Sequence, residues 1–318
     1  MTPAFIVGAD RSGTTLLRLI VNEHPLVAVP AETWFLIDLM DEFGVTGKLD
    51  GPQLTRAIEI VGKKRRWRNF HVSCDELRSR LEERPQISLE EFFDTLMSLE
   101  IAPTGKPRWV DKTPEYVLHI GRLVTVFPTA KFVHITRDGR DVFRSLRKQR
   151  WRGRTPLRIA SYWAACIDAG LAAGHTLGPG QMLSIRYEDL VLDMEATTRR
   201  VCRFLDLSYD PGMLSFHIAA AAHVPRQSID RGFHTKLLRP PTDTDAFRWK
   251  QERFEWRGWL FESMVLDQLW AAGYEARLSH SLARLIRPIA FGHHLVASAA
   301  AKLMKRRPLR ESRSPGTS

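Results

Sequence analysis

The stretch Gly8-Ala9-Asp10-Arg11-Ser12-Gly13-Thr14-Thr15 constrains this chain more than any other. The apolar run Ala4-Phe5-Ile6-Val7 precedes it, and the helix-like Leu16-Leu17-Arg18-Leu19-Ile20-Val21 follows. A strand, a glycine-rich turn and a helix in that order aim free backbone N–H groups and a helix N-terminus at one point, which is an anion site. Three more apolar runs, Arg108–Val110, Lys131–Thr136 and Met182–Arg186, read as further buried strands of a parallel sheet, with helical stretches between them. The expectation is one large α/β domain with insertions.

The loop departs from the G-x-x-x-x-G-K-[ST] pattern of nucleoside triphosphate sites. Thr14 holds the lysine position, and the cation, Arg11, comes three residues earlier. The backbone cradle is kept, but the side chain that reaches a γ-phosphate is gone. The loop suits a nucleotide whose reacting group is something else.

Asp38–Pro107 is charged and mostly helical in pattern, an insertion placed to shape an acceptor site. Asp189–Leu207 has helical spacing, Phe216–Phe247 lacks periodicity and reads as a loop over the nucleotide, and Trp256–Tyr274 reads as a closing helix ending near Gly273. These divisions give a main domain over 1–277 and a tail over 278–318. Of the net charge of +11, residues 281–318 carry +7, from eight Lys/Arg against Glu311. Basicity of the main body is therefore weak evidence for nucleic acid, and none is expected as a partner. The tail over Leu278–Arg307 has the character of a basic amphipathic helix that lies on an anionic membrane, or of an extension docked on the body; 308–318 reads as disordered. Cys74, Cys166 and Cys202 are too few and too scattered for a disulfide framework or a zinc site. With no signal-like segment and no long apolar run, the expectation is a cytoplasmic protein, peripheral to the membrane at most.

A second motif follows the strand Lys131–Thr136: Arg137-Asp138-Gly139-Arg140-Asp141-Val142-Phe143-Arg144-Ser145. Ligands of open α/β sheets bind at the carboxyl ends of the strands. Arg137 at that end, with its forked donors, and Ser145 two helical turns on can reach one phosphate. Arg and Asp in a turn also pair with each other.

Together the two motifs resemble the sulfotransferases that use 3′-phosphoadenosine 5′-phosphosulfate. In that family an R-S-G-T-T loop binds the 5′-phosphosulfate, and R-D-x-R-x-x-x-x-S binds the 3′-phosphate. The segment Arg11 to Pro25, ending in His24-Pro25 and followed by Glu32-Thr33, is similar to the tyrosylprotein sulfotransferase branch and its bacterial relatives. Asp111-Lys112-Thr113-Pro114 resembles that branch's Asn-Lys-Asp-Pro, and Ile185 to Val191 resembles a shared Arg-Tyr-Glu segment. The likeness covers roughly residues 4–275. It implies a P-loop NTPase-like three-layer α/β fold with a central parallel sheet flanked by helices.

The resemblance also implies roles. Glu32 becomes the base for the acceptor proton; its other reading is a surface carboxylate paired near Trp34. Arg11 clamps the 5′-phosphate and the sulfonate. Lys112 steadies the bridging oxygen or sulfonate, or else pairs with Asp111 or Glu115. Ser12, Gly13, Thr14 and Thr15 supply N–H groups and hydroxyls, with Gly13 allowing close approach to phosphate. Arg137 and Ser145 take the 3′-phosphate. Tyr187 contacts the nucleotide or is a core tyrosine, and either Arg248 or Lys250 reaches the nucleotide. The donor is the co-substrate and no metal is implied.

His134 reads as core and His24 as a helix end; His175 has no ligand spacing. Trp34, Phe35 and Leu36 line an acceptor cleft or belong to the core. Two runs interleave tryptophan with cations, 63–68 and 147–154, and are placed to hold an anionic glycan or lipid or to steer the donor. The tyrosylprotein enzymes are membrane-anchored and disulfide-bonded, so the acceptor here is expected to be a carbohydrate, lipid or other metabolite carrying a hydroxyl or amine. The competing classes are a P-loop kinase or NTPase and a non-catalytic nucleotide- or glycan-binding protein.

Overall fold

The computed structural model describes residues 2–82, 84–149, 155–223, 235–251 and 255–305. The first half runs β1 (Ala4–Val7), α1 (Thr14–Asn22), β2 (Val27–Ala28), α2 (Phe35–Phe43), β3 (Lys48–Leu49), α3 (Gly51–Gly62), α4 (Cys74–Leu81), β4 (Ile87–Ser88) and α5 (Leu89–Ile101). The second half begins β5 (Arg108–Trp109), β6 (Asp111–Lys112), α6 (Ile120–Val126), β7 (Lys131–Thr136), α7 (Gly139–Leu146) and α8 (Pro156–Leu177). It continues with β8 (Met182–Arg186), α9 (Tyr187–Leu192), α10 (Met194–Phe204) and α11 (Phe216–His223). The later helices are Arg248–Gln251, Trp256–Met264, Leu266–Ala271 and His280–Lys305.

The main sheet has the order β6-β1-β7-β8, and every pair is parallel. Parallel pairing is buried on both faces, which is why β1 reads as an unbroken apolar run. Its side chains alternate between two cores. Phe5 and Val7 join Phe93, Phe132 and Trp163 on one face, and Ala4 and Ile6 join Leu17, Ile20, Val133 and Val201 on the other. All four strands end at the same edge. Val7, Lys112, Thr136 and Arg186 are therefore followed there by the glycine loop, Thr113, Arg137 and Tyr187, so that these four motifs leave the sheet on one side.

The apolar run at 108–110 does not enter this sheet. Arg108 and Trp109 pair with Val27 and Ala28 in a separate parallel ladder, and the strand beside β1 is Asp111–Lys112. Apolar patterning finds buried backbone but cannot say which sheet it joins, and polar Asp111 and Lys112 carry no strand signal. Phe216–Phe247 is likewise not all loop, since α11 occupies its start; 224–234 lie outside the described residues. The closing helix is two helices divided at Val265, and Gly273 at φ 77° follows the second.

The insertion between β2 and β5 is helical as expected and folds around α5. Glu91 and Ser88 form a reciprocal cap at its start. At its other end the buried Glu100 accepts from the backbone N–H groups of His71 and Val72. The cysteines are free thiols. Among the described residues no helix is long and apolar enough to cross a membrane.

Candidate active site

The glycine loop cannot be built from other residues. A Cβ on Gly8 would stand 2.3 Å from the Ile135 carbonyl oxygen, and one on Gly13, at φ 97°, 2.3 Å from Tyr187 Cδ2. Gly13 thus admits the Tyr187 ring as well as any ligand, a reason not visible in the sequence. Gly13 opens α1 without a side-chain cap, and no acid stands in the first turn, so its first N–H groups remain directed at the site.

Arg11 takes φ 70°, a left-handed conformation that costs a residue carrying a Cβ about 1 kcal/mol or more. Two contacts hold it there. Its Nε donates to Ser145 Oγ at 3.0 Å, and Arg137 donates to its carbonyl at 3.3 Å. Arg137 also lies 4.1 Å over the Tyr187 ring and donates to the Asp245 carbonyl at 3.4 Å. Arg11, Gly13, Arg137, Ser145 and Tyr187, drawn from three strand ends, therefore form one cluster.

The electrostatics of that cluster favour an anion. Burial, and then the neighbouring Arg137, push the Arg11 guanidinium below its ordinary range. Ser12 Oγ and Arg137 Nε are buried without a hydrogen-bond partner among the described residues. Buried donors without partners cost about 1–3 kcal/mol each, and phosphate oxygens would satisfy them. Arg140, the second arginine of the motif, does a different job. It is buried against Asp138 at 2.7 Å and Glu262 at 3.5 Å and stacks 3.4 Å over Trp249, so it fixes α7 to the helices behind it.

Beside this cluster, Gly8 N–H donates to the Pro114 carbonyl at 3.0 Å, and Lys112 lies opposite Ile6. The loop and the Asp111–Pro114 segment are thereby neighbours. Thr33, fully buried, fastens the chain from α1 to them. Its hydroxyl donates to Asp111 at 2.6 Å and meets Tyr116 OH at 2.8 Å, and its N–H donates to Thr113 Oγ1 at 3.0 Å. That rivet presents Glu32, one residue earlier, to Lys112. The Glu32 carboxylate contacts Lys112 Nζ and Arg66 and accepts from Trp34 Nε1 at 2.8 Å. The two readings of Glu32 are therefore compatible: it pairs with Trp34 and still stands at the strand ends.

Burial, and then Arg18, push the Lys112 ammonium down to about 7, against the pull of Asp111; the touching Glu32 carboxylate works in the same sense as Asp111. Burial raises Asp111 to about 6, against its hydrogen bonds from Thr33 and Thr113. The Lys112 side chain is 4% exposed and that of Glu32 20%, so the carboxylate is the member of the pair that an incoming group can reach.

Asp141 accepts from the backbone N–H groups of Arg248 and Trp249 at 3.0 and 2.9 Å, which brings the 248–251 turn against α7. Arg144 donates to the Arg248 carbonyl at 3.0 Å. Lys250 points instead to Glu275 at 3.4 Å, both of them exposed. Phe35 and Leu36 are core, the second of their two readings; Trp34 lies beneath Arg66, 5.0 Å away. His134 is a core residue packed against Gly170, lowered to about 4 by burial. His24 bonds Ser208 O at 2.8 Å and accepts from Leu26 N–H, tying down the end of α1. Of the run 147–154, residues 150–154 lie outside the described residues. Thr33, Thr113, Tyr116 and Asp141 were missed as working residues. Thr33, Thr113 and Asp141 stand inside the quoted motifs, while Arg66 was visible only as one cation in a basic run.

Residues 3–211 match the model of a family described as the sulfotransferase family. The chain is 24% identical over 270 residues to protein-tyrosine sulfotransferase A of Caenorhabditis elegans, covering 83% of this chain and 63% of that one. It is 26% identical over 225 residues to an uncharacterized protein of Aquifex aeolicus (strain VF5), covering 68% of this chain and 27% of the other. The chain thus spans less than two thirds of the length of either relative. Among solved structures it resembles the sulfotransferase domain of the Synechococcus PCC 7002 olefin synthase, with a TM-score of 0.58 and 22% identity over 85% of this chain and 93% of that one. At that identity the likeness is one of fold.

Proposed function

The chain belongs to the sulfotransferase family, and from that premise we propose that it moves a sulfonate from 3′-phosphoadenosine 5′-phosphosulfate to a hydroxyl or amine of a carbohydrate, lipid or small-metabolite acceptor. One observation carries the reading. The Arg11 side chain meets Ser145, and Arg137 meets the Arg11 backbone, so two motifs far apart in sequence make one doubly cationic pocket. A nucleotide with phosphate at both 5′ and 3′ positions needs such a pocket, and ATP does not.

The bound donor supplies a sulfonate on a phosphate leaving group. The chain's own residues do the rest. Ser12, Gly13, Thr14 and Thr15 offer N–H groups and hydroxyls at the start of α1 to the 5′ end. Arg11 is the clamp there, and Arg137 with Ser145 holds the 3′-phosphate over Tyr187. Of the two basic candidates in the 248–251 turn, Arg248 is favoured over Lys250, because its backbone is bonded to Asp141 and Arg144 beside the cluster. Glu32 takes the acceptor proton as the new O–S or N–S bond forms. Lys112, buried and fixed, meets the negative charge that develops on the departing phosphate.

Calorimetric titration tests the donor half. Adenosine 3′,5′-bisphosphate is expected to bind without metal and far more tightly than AMP. Preference for ATP with Mg²⁺ would replace this reading with a kinase. For the acceptor, turnover is measured over a panel of glycans, lipids, small alcohols and amines and a tyrosine peptide. Turnover of the peptide alone would assign the acceptor type that the C. elegans relative's name carries.

A further inference from the structure

Along the described side chains of the terminal helix, His280–Lys305, two alanines are buried while several large apolar residues are exposed. Ala283 and Ala290, one heptad apart, are fully buried. Ala283 packs with Leu266 and Leu278, and Arg287 Nε donates to the Ser263 carbonyl at 2.7 Å. Leu282, Leu285, Ile289 and Val296 recur at spacings that place them on one outward face. Leu285 is 73% and Val296 72% exposed, and Leu282 and Ile289 are exposed as well. Scattered exposed leucines need no explanation, but a continuous ridge of them does.

A cavity of about 330 Å³ opens alongside, lined by Arg147, Thr155, Arg257, His293 and Ala297. His293 lies four residues after Ile289 and three before Val296, so it borders the ridge. Trp256, 53% exposed, meets His293 edge-on at 5.3 Å, with Arg257 4.8 Å over its ring. Arg147 is paired with Glu255, which leaves Arg257 as the outer cation. Arg284, exposed on the terminal helix, adds to it. An apolar helix face, an indole and neighbouring cations make a surface suited to the headgroup level of an anionic bilayer. Since no described helix can cross a membrane, the helix would lie on it.

We propose that the outward face of His280–Lys305, with Trp256 and the Arg257–His293 cavity, docks on an anionic lipid bilayer. The ridge enters the acyl boundary while the cations stay with the lipid phosphates. His294 contacts Thr155 at the start of α8 at 3.0 Å, and Tyr162 of α8 accepts from Asp10 N–H of the phosphate loop at 2.9 Å. The docking face therefore flanks the rim of the loop, about 10 Å away along α8. This inference stands apart from the acceptor and from the reaction.

The full chain is sedimented with vesicles of phosphatidylcholine alone and with vesicles in which roughly a quarter of the lipid is phosphatidylglycerol. Binding to the anionic vesicles only, weakened by salt, is the expected result. Leu285→Glu with Ile289→Glu, both at exposed positions, is expected to weaken it at least about tenfold with bisphosphate binding retained. Failure of the unaltered protein to bind anionic vesicles overturns the proposal whatever the variant does. So does a dimer in analytical ultracentrifugation that the double variant converts to monomer, because the ridge would then be covered by a second copy.

Discussion

The proposed donor side and the proposed acceptor side of this site are built on different principles. On the donor side, Arg11, Gly13, Arg137, Ser145 and Tyr187 come from the loops and helices that follow adjacent parallel strands, and their geometry leaves little freedom. Gly13 leaves no room for a Cβ beside Tyr187, and Arg11 pays in backbone strain for its bond to Ser145. On the side proposed for the acceptor, the helices α2 to α5 form a packed insertion whose requirement is apolar volume. Its one described contact with the Glu32 carboxylate is Arg66, half exposed. A phosphate has one shape and charge, so the residues that hold it are narrowly constrained. Acceptors differ, and a helical insertion can change its lining while keeping its core.

Glu32 gives the sharpest test of that division. Glu32→Gln keeps the shape and loses the base, so kcat is expected to fall by about 10²–10⁴-fold. Bisphosphate affinity, measured by calorimetry, should stay within about twofold of the unaltered protein, because a group used only in the transition state leaves binding alone. Arg137→Ala should do the reverse. Loss of charge-assisted hydrogen bonds is expected to weaken bisphosphate binding by about a hundredfold and AMP binding much less. If Glu32→Gln weakened bisphosphate binding as much as Arg137→Ala does, the two halves would be one.

The same division governs what the sequence made legible. The glycine loop, the strand at 131–136 and the Arg137-to-Ser145 segment could be read directly because steric necessity and a fixed ligand narrow the choice of residue. The entry of Asp111–Lys112 into the sheet could not, since an apolar run marks burial and not partners. Nor could Thr33 be read as the rivet that presents Glu32: a threonine becomes a working residue only once Asp111, Thr113 and Tyr116 arrive from distant sequence. The exposed ridge of the terminal helix was legible as amphipathic, but which face the body would bury was not, because both alanines and leucines count as apolar.

Lys112 offers a pH-dependent test of the boundary between the halves. Burial and Arg18 hold it near 7, so above neutral pH the folded protein keeps less of the ammonium that a developing phosphate anion needs. The anion binds the charged form, so kcat/KM for the donor should fall as pH rises, by about tenfold per unit once Lys112 is mostly neutral. Lys112→Arg stays charged and should remove that limb, at some cost in absolute rate from changed shape. A flat profile in the unaltered protein from neutral to alkaline pH would mean that Lys112 stays charged through its contact with Glu32, and that the pair titrates as a unit outside this range.

Arg66 gives the smallest expected effect, and it reports on the border itself. It reaches across from the turn after α3 to the Glu32 carboxylate and covers Trp34. Its side chain is 49% exposed, and ion pairs of that exposure contribute at most about 1 kcal/mol. Arg66→Ala should therefore leave bisphosphate affinity unchanged and shift the acceptor KM by about two- to fivefold, since an acceptor approaching Glu32 must pass or displace this side chain. A fall in kcat as deep as that of Glu32→Gln, with acceptor KM unmoved, would show that Arg66 positions the carboxylate for proton transfer. The insertion would then supply part of the machinery and not only the walls of the acceptor cleft.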